Sequence, residues 1–362
     1  MKPLKPHLLH KARGAVSNPD GRFESLRHEA FDDGWTRTEE EDGAVAHMQL
    51  LPDTAKTIIN YNKSPDIHFS RSINPYRGCE HGCIYCFARP THAYLGLSAG
   101  LDFETKLFYK QDAVRLLEAE LQNPRYRCQP IAFGINTDAY QPVERELKLS
   151  RSLLEVLLRY RHPLSLITKS RLILRDLDIL RTLAEHKLVS VMVSITSLET
   201  GVKSTLEPRA AAPAVRLEII RELSAAGIPV GVMVAPIIPF ITDNEMEAIL
   251  QAAYAAGARE AGYVLLRLPH EVKELFDDWL RVHYPQKAEH VMSLMRQSHG
   301  GKEYAAQWGT RMRGTGQYAE LLAQRFNKAY RAVGYPDRGM PELDTTQFKV
   351  TAETSGQLRL EL

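Results

Sequence analysis

Two periods alternate along most of this chain. Short apolar runs of strand type, such as Ile131-Ala-Phe-Gly-Ile135, Leu164-Ser-Leu-Ile167 and Val189-Ser-Val-Met-Val193, are each followed by stretches with apolar positions at helical spacing. The alternation starts with the strand His68-Phe-Ser-Arg-Ser-Ile73. It continues through an extended stretch over 103–109 and a helix over 112–121. Further helices over 144–160, 176–187, 214–226, 243–256 and 272–282 then alternate with strands over 229–235 and 263–266. Gly227 and Gly257 close two of these helices, as a glycine just past a C-terminus does. Six strand–helix units in series predict a parallel sheet with right-handed crossovers, closed or nearly closed into a barrel. An open, doubly wound sheet is the competing arrangement, but no glycine-rich dinucleotide turn follows any of the strands.

Polar residues decide between the two. The strand bodies are apolar, and their C-terminal ends read Cys79, Asn136-Thr137-Asp138, Thr168-Lys169-Ser170, Ser194-Ile-Thr196-Ser197, Pro236-Ile-Ile-Pro239 and Arg267. A rim of this kind at one end of a parallel barrel is where active sites form. The expected fold is therefore α/β, a partial (β/α)6 TIM-like barrel over residues 67–283.

The flanks follow a different pattern. Residues 1–66 read as an irregular polar arm punctuated by Pro3, Pro6, Gly14, Asn18-Pro19 and Gly21, with an acidic run from Glu39 to Asp42. Residues 284–362 form an extension rich in Gly and Arg, including Trp308-Gly-Thr-Arg311-Met-Arg313-Gly-Thr-Gly316, with a helix over 317–331. From Arg296 to Arg331 it carries seven Lys/Arg against two acidic residues, a mix suited to phosphate contacts and base stacking, although a solvated helix face is the ordinary reading of such charge and the tail could equally cover the open edge of the barrel. The whole chain of 362 residues has a net charge of only +2, so no strongly basic nucleic-acid binder is indicated globally. No apolar run approaches a membrane span, and the N-terminal Met1-Lys-Pro-Leu-Lys-Pro-His has no apolar segment behind it. A cytoplasmic protein without a membrane partner is expected.

The candidate chemistry lies in Cys79-Glu-His-Gly-Cys83-Ile-Tyr-Cys86, three cysteines in one short loop flanked by Gly78 and Gly82. Thiols this close in a reducing compartment point to metal rather than disulfides. Closed structural sites take four protein ligands, so three leave a coordination position open for chemistry. A zinc site completed by His81 or a distant histidine is the competing reading. The fourth cysteine, Cys128, has no evident partner, and a partly buried inert thiol is the common fate of such a residue.

This spacing resembles the signature of the radical S-adenosylmethionine (SAM) enzymes. Residues 67–282 are similar to the branch that contains spore photoproduct lyase and its uncharacterised bacterial relatives, through Thr137-Asp138-Ala-Tyr140-Gln-Pro142-Val-Glu144, Thr168-Lys169-Ser170, Arg175-Asp176-Leu-Asp178, Leu206-Glu207-Pro208-Arg209 and Val234-Ala-Pro236-Ile-Ile-Pro239. The resemblance implies a [4Fe–4S] cluster on Cys79, Cys83 and Cys86 whose fourth iron takes SAM. It further implies reductive cleavage of SAM to a 5′-deoxyadenosyl radical and an electron donor of the flavodoxin or ferredoxin type. By match of strand ends it implies SAM contacts from Thr137, Lys169 and Ser194, with Phe87 against the adenine. The substrate class it suggests is a nucleic-acid component, DNA or RNA, with a peptide or metabolite as the alternative and a non-catalytic zinc or iron–sulfur module as the third reading. Two departures argue against thymine-dimer reversal. Ile135 stands where the lyase has a cysteine, and Phe87 lacks the hydroxyl of the lyase tyrosine, although Tyr85 remains.

Overall fold

The computed structural model describes residues 12–23, 48–304 and 306–350. Pro3, Pro6 and the acidic run from Glu39 to Asp42 lie outside them. In chain order the strands are β1 (Gln49–Pro52), β2 (Ile59–Tyr61), β3 (Arg71–Ile73), β4 (Tyr76–Arg77), β5 (Lys106–Tyr109), β6 (Ile131–Phe133), β7 (Leu164–Thr168), β8 (Val189–Ser194), β9 (Val230–Ile237) and β10 (Glu260–Leu265). Six of them, β3, β6, β7, β8, β9 and β10, lie side by side in that order and all run parallel. Helices on the connections cover the sheet, so its strands are buried on both faces and built from β-branched and aliphatic residues. Val189, Val191 and Val193 on one face of β8 and Ser190 and Ser194 on the other are enclosed, as are Val230, Val232 and Val234 of β9.

Two strands come from the described part of the arm. β2 pairs antiparallel with β3 at the sheet edge, and β1 joins β5 and β4 in a small second sheet. Their partners lie far along the chain or across a turn, so no local period announces them.

Of the element boundaries that differ from the pattern-based expectation, three have an evident local reason. The stretch over 103–109 begins as the helix Leu101–Thr105, where Asp102 accepts the Ser98 N–H (3.1 Å) and the Thr105 hydroxyl bonds back to Leu101 O (2.8 Å); only then does β5 begin. The expected helix over 144–160 breaks into Glu144–Leu147 and Leu149–Arg159, with Lys148 at φ +50°. The buried Glu144 carboxylate accepts the Ser150 N–H (3.0 Å), so it caps the second helix across the break. β10 starts at Glu260, earlier than the apolar run suggests, because parallel pairing with β9 extends through Ala261 and Gly262.

Beyond 283, the helices Ala288–Ser298 and Gly316–Val333 pack on the outside of the barrel. Leu322 and Phe326 are buried, Tyr318 donates to Asp243 (2.9 Å), and Arg325 forms a two-pronged pair with Glu247 (2.7 and 2.8 Å) on the helix Met246–Ala256. Much of the extension's basic charge is thus spent internally. Arg311 pairs with Asp66, Arg296 with Glu303 (3.6 Å), and Arg313 lies 4.1 Å over the Tyr263 ring. Among the described residues no helix is long and apolar enough to cross a membrane.

Candidate active site

The cysteine loop leaves β3 at its C-terminal end and crosses the mouth of the sheet. Two glycines set its path. Gly78 has φ +78° and Gly82 φ +67°, and an added Cβ would sit 2.7 Å from Leu107 Cδ2 at the first and 2.8 Å from Glu104 Oε2 at the second. Nearly every residue between them is tied down. Cys79 N–H donates to Phe103 O (2.9 Å) and Glu80 N–H to Gln141 Oε1 (2.9 Å). Glu80 in turn accepts the Val143 N–H (2.7 Å) and pairs with Arg209 (2.8 Å). His81 Nδ1 lies 3.4 Å from Asp138, whose other bonds run to Thr168 Oγ1 and the Lys169 N–H (both 2.8 Å). Ile84 N–H donates to Leu206 O (3.1 Å).

Behind the loop sits an ion pair of two fully enclosed side chains, Arg89 and Glu104. Arg89 also donates to the carbonyls of Gly82, Cys83, Ala99 and Gly100 (2.8–3.2 Å). Glu104 accepts the N–H groups of Gly14 (3.0 Å) and Ala15 (2.9 Å), which ties the N-terminal segment to the back of the loop.

Within this frame Cys79 and Cys83 are buried, Cys86 is half-buried, and none is in a disulfide. Burial drives all three thiols up, Cys79 well above its ordinary value and Cys83 to about 12, so the metal-free loop carries thiols rather than thiolates. Burial likewise lowers His81 to about 4, which leaves it neutral beside Asp138 at pH 7. On the far side of the mouth a second buried network faces Cys83. Glu207 pairs with the buried Arg216 and accepts from Tyr85 and from Thr196 (2.8 Å). Burial alone would raise the Glu207 carboxyl, but Arg216 and Lys169 outweigh it and hold it at about 2. Burial also works against the charge on Lys169, yet the carboxylates of Glu207 and Asp138 keep its pKa raised.

The residues singled out from the sequence thus fall in different places. Lys169 follows β7 and donates its N–H to Asp138 (2.8 Å). Thr137 is buried and donates its hydroxyl to Tyr76 O (2.8 Å), and Ser194 is buried with its carbonyl accepting from Arg216 (2.9 Å). Phe87 is 42 % exposed, with Arg267 from the end of β10 5.4 Å over its ring. Cys128 is half-buried, remote in sequence from the loop, and burial raises its thiol to about 11. Sequence reasoning missed the Arg89–Glu104 pair, Arg216 and the Phe87–Arg267 stack. Only Glu207 had a signal, the Leu206-Glu207-Pro208-Arg209 run.

A partial parallel barrel whose strand ends surround three free thiols and a charged lysine defines an enzyme site rather than a structural knot. A sequence model of the Radical SAM superfamily matches residues 73–253, and the chain belongs to that superfamily. An uncharacterized protein of Mycobacterium tuberculosis is 34 % identical over 262 residues, which covers 72 % of this chain and 76 % of that protein. An uncharacterized protein of Methanocaldococcus jannaschii is 27 % identical over 198 residues, 55 % of this chain and 71 % of the relative. Among solved structures, spore photoproduct lyase complexed with dinucleoside spore photoproduct matches with a TM-score of 0.57 at 16 % identity, over 83 % of this chain and 84 % of the lyase. A lyase mutant with bound AdoMet and dinucleoside spore photoproduct matches at 0.56 and 15 % identity, over 84 % and 85 %. At such identities the likeness is one of fold. Superfamily membership implies a [4Fe–4S] cluster, SAM and a reductant.

Proposed function

We propose that Cys79, Cys83 and Cys86 hold a [4Fe–4S] cluster and that the chain is a radical SAM enzyme acting on a substrate other than the spore photoproduct. The observation that carries this reading is the trio of free, mostly buried thiols in one loop at the strand ends, with Lys169 at the end of β7 tied through its N–H to Asp138. The residues present fit the group. Three free thiols within eight consecutive residues can each take a different iron of one cluster. When bound, the cluster supplies one low-potential electron to the sulfonium of SAM, giving the 5′-deoxyadenosyl radical.

The chain's own groups do the rest. The Lys169 ammonium offers a counter-charge for the carboxylate of SAM in a site with little water. The Glu207–Arg216 pair fixes the Tyr85 hydroxyl, so this phenol is held as a donor and kept protonated. Arg89 holds the carbonyls of Gly82 and Cys83, which orients the loop. Ile135 and Phe87 offer neither a thiol nor a hydroxyl, which supports chemistry other than dimer reversal. A nucleic-acid component remains our first substrate class on the likeness of fold, without help from Arg311, Arg313 and Arg325, which are engaged internally.

The test is anaerobic reconstitution, reduction with SAM present and assay for 5′-deoxyadenosine, with Cys83→Ala alongside and DNA, RNA or cell extract added in turn. Nucleoside from wild type and none from the variant is the expected result. No product from protein with a full, reducible cluster would refute the assignment.

A further inference from the structure

Among the described residues, one cation at the mouth, Arg267, is paired with no carboxylate. Arg267 follows β10 directly, at the end of the strand where the site lies. Its guanidinium is flanked by two rings, 5.4 Å from the centre of Phe87 and 5.9 Å from that of Tyr304. Its terminal nitrogens reach only Met312 Sδ and Tyr304 Oη, both at 3.3 Å, and its buried Nε has no partner. Among the described residues no carboxylate pairs with it. A guanidinium stays charged at any accessible pH, so a partly desolvated one with idle donors is an anion seeker.

His299 supplies the second observation. It is 5 % exposed, its Nδ1 bonds to Met295 O (2.9 Å), and its buried Nε2 has no partner. With the Nδ1 proton on that carbonyl, Nε2 is a free acceptor. Burial, with Arg267 adding to it, lowers the ring's pKa and keeps it neutral. The segment that carries these groups is fastened over the strand end. Leu265 N–H donates to Met312 O (3.0 Å), and Thr315 N–H to Ser298 O (2.8 Å).

We propose that Arg267, His299 and Tyr304 form a substrate subsite for an oxyanion, phosphate or carboxylate, on a molecule that also offers a hydrogen-bond donor to His299 Nε2. The subsite rests on reading the mouth as the reaction site. Phe87, the residue after Cys86, ties it to the cysteine loop. Lys169 follows β7, which β8 and β9 separate from β10, so the two cations serve different anions, Lys169 the carboxylate of SAM and Arg267 the substrate.

Binding of inorganic phosphate to the metal-free chain, followed by 31P line broadening, and of acetate, followed by proton relaxation, tests this. Saturable binding on the order of 1 mM is expected for the preferred oxyanion, weakened about tenfold by Arg267→Gln. Arg267→Lys, which keeps charge but loses the fork, should fall between, and it decides the matter if the Gln variant misfolds on melting. Binding unchanged in Arg267→Gln and abolished by Lys169→Met would overturn the proposal, as would binding of neither anion. Because no cluster is present, the outcome is independent of SAM cleavage. A chain that bound phosphate through Arg267 yet never made 5′-deoxyadenosine would refute the function above and leave the subsite standing.

Discussion

The Arg89–Glu104 pair gives the most direct test of how the cysteine loop is held. Both side chains are fully enclosed, so removing one partner strands a buried charge, at a cost of roughly 3–5 kcal/mol. For Glu104→Gln the shape is kept, but the new amide must face a donor wherever it turns. One carboxylate oxygen accepts from Arg89 and the Ala15 N–H, and the other from the Gly14 N–H. Arg89→Met should cost at least as much, since four carbonyls lose their donor as well. The double variant should be less than additive, with a coupling of about 1–3 kcal/mol. Denaturant unfolding of the metal-free protein measures these differences. Hydrogen exchange at the amides of 79–86, expected to quicken in both single variants, shows whether the loss is local to the loop. Iron bound per chain after reconstitution should fall in parallel. A Glu104→Gln variant destabilised by less than about 1 kcal/mol, with the loop amides as protected as in wild type, would show that the pair does not position the loop.

Three further outcomes follow from particular atoms. Gly14→Ala places a Cβ 1.8 Å from the Gly82 carbonyl oxygen, so the 12–16 segment should detach, seen as faster proteolysis there and quicker thiol labelling of Cys83; unchanged rates would mean that the segment does not cover the loop. Lys169→Met should weaken SAM binding to the reconstituted protein about tenfold or more, roughly 1.4 kcal/mol, while iron content holds, and an unaltered SAM affinity would remove Lys169 from the site. His162 is buried, bonded to Tyr126 Oη (2.7 Å) and Pro163 O (2.9 Å), and burial lowers its pKa to about 4. The unfolded chain takes up a proton near pH 6.5 that the native chain refuses until about 4. Stability therefore falls as pH drops through that window, by roughly 3 kcal/mol (2.5 units at 1.36). His162→Gln should flatten this slope in the metal-free protein, and a difference from wild type that does not change with pH would contradict it.

The sequence carried the barrel because a parallel sheet is built from repeated units whose apolar runs and helical periods are local. The six strands in spatial order β3 to β10 correspond to six such units. It carried the cysteine loop because its chemistry is concentrated in eight consecutive residues. What holds the loop was illegible for the opposite reason. Arg89 meets Glu104 across fifteen positions, Gly14 meets Gly82, and Phe87 meets Arg267, and no period or motif encodes a pairing at such separations. The partners of the extension's charges were illegible for the same reason. Seven Lys/Arg read as a patch, yet Arg296, Arg311, Arg313 and Arg325 each find a partner that only the fold brings near.

The geometry of the mouth explains why so many distant contacts converge on eight residues. Six parallel strands leave a sheet whose edges, β2 on one side and β10 on the other, do not meet. A full barrel of eight would position catalytic groups by closure alone. Here the cysteine loop spans the mouth instead. It is rooted at the end of β3, bonded to Leu206 and Arg209 beyond β8, and ends at Phe87 under Arg267 beyond β10. Such a crossing is useful only if it is rigid, because a loop free to move would carry the thiols with it. Hence the enclosed ion pair behind it and the backbone of Gly14 and Ala15 pressed against it. Both ends of the loop are fixed by hydrogen bonds, but they differ in exposure: Cys79 is buried with its N–H on Phe103 O, and Phe87, directly after Cys86, is 42 % exposed beneath Arg267. That asymmetry leaves the Phe87 end as the part of the loop a substrate can still reach.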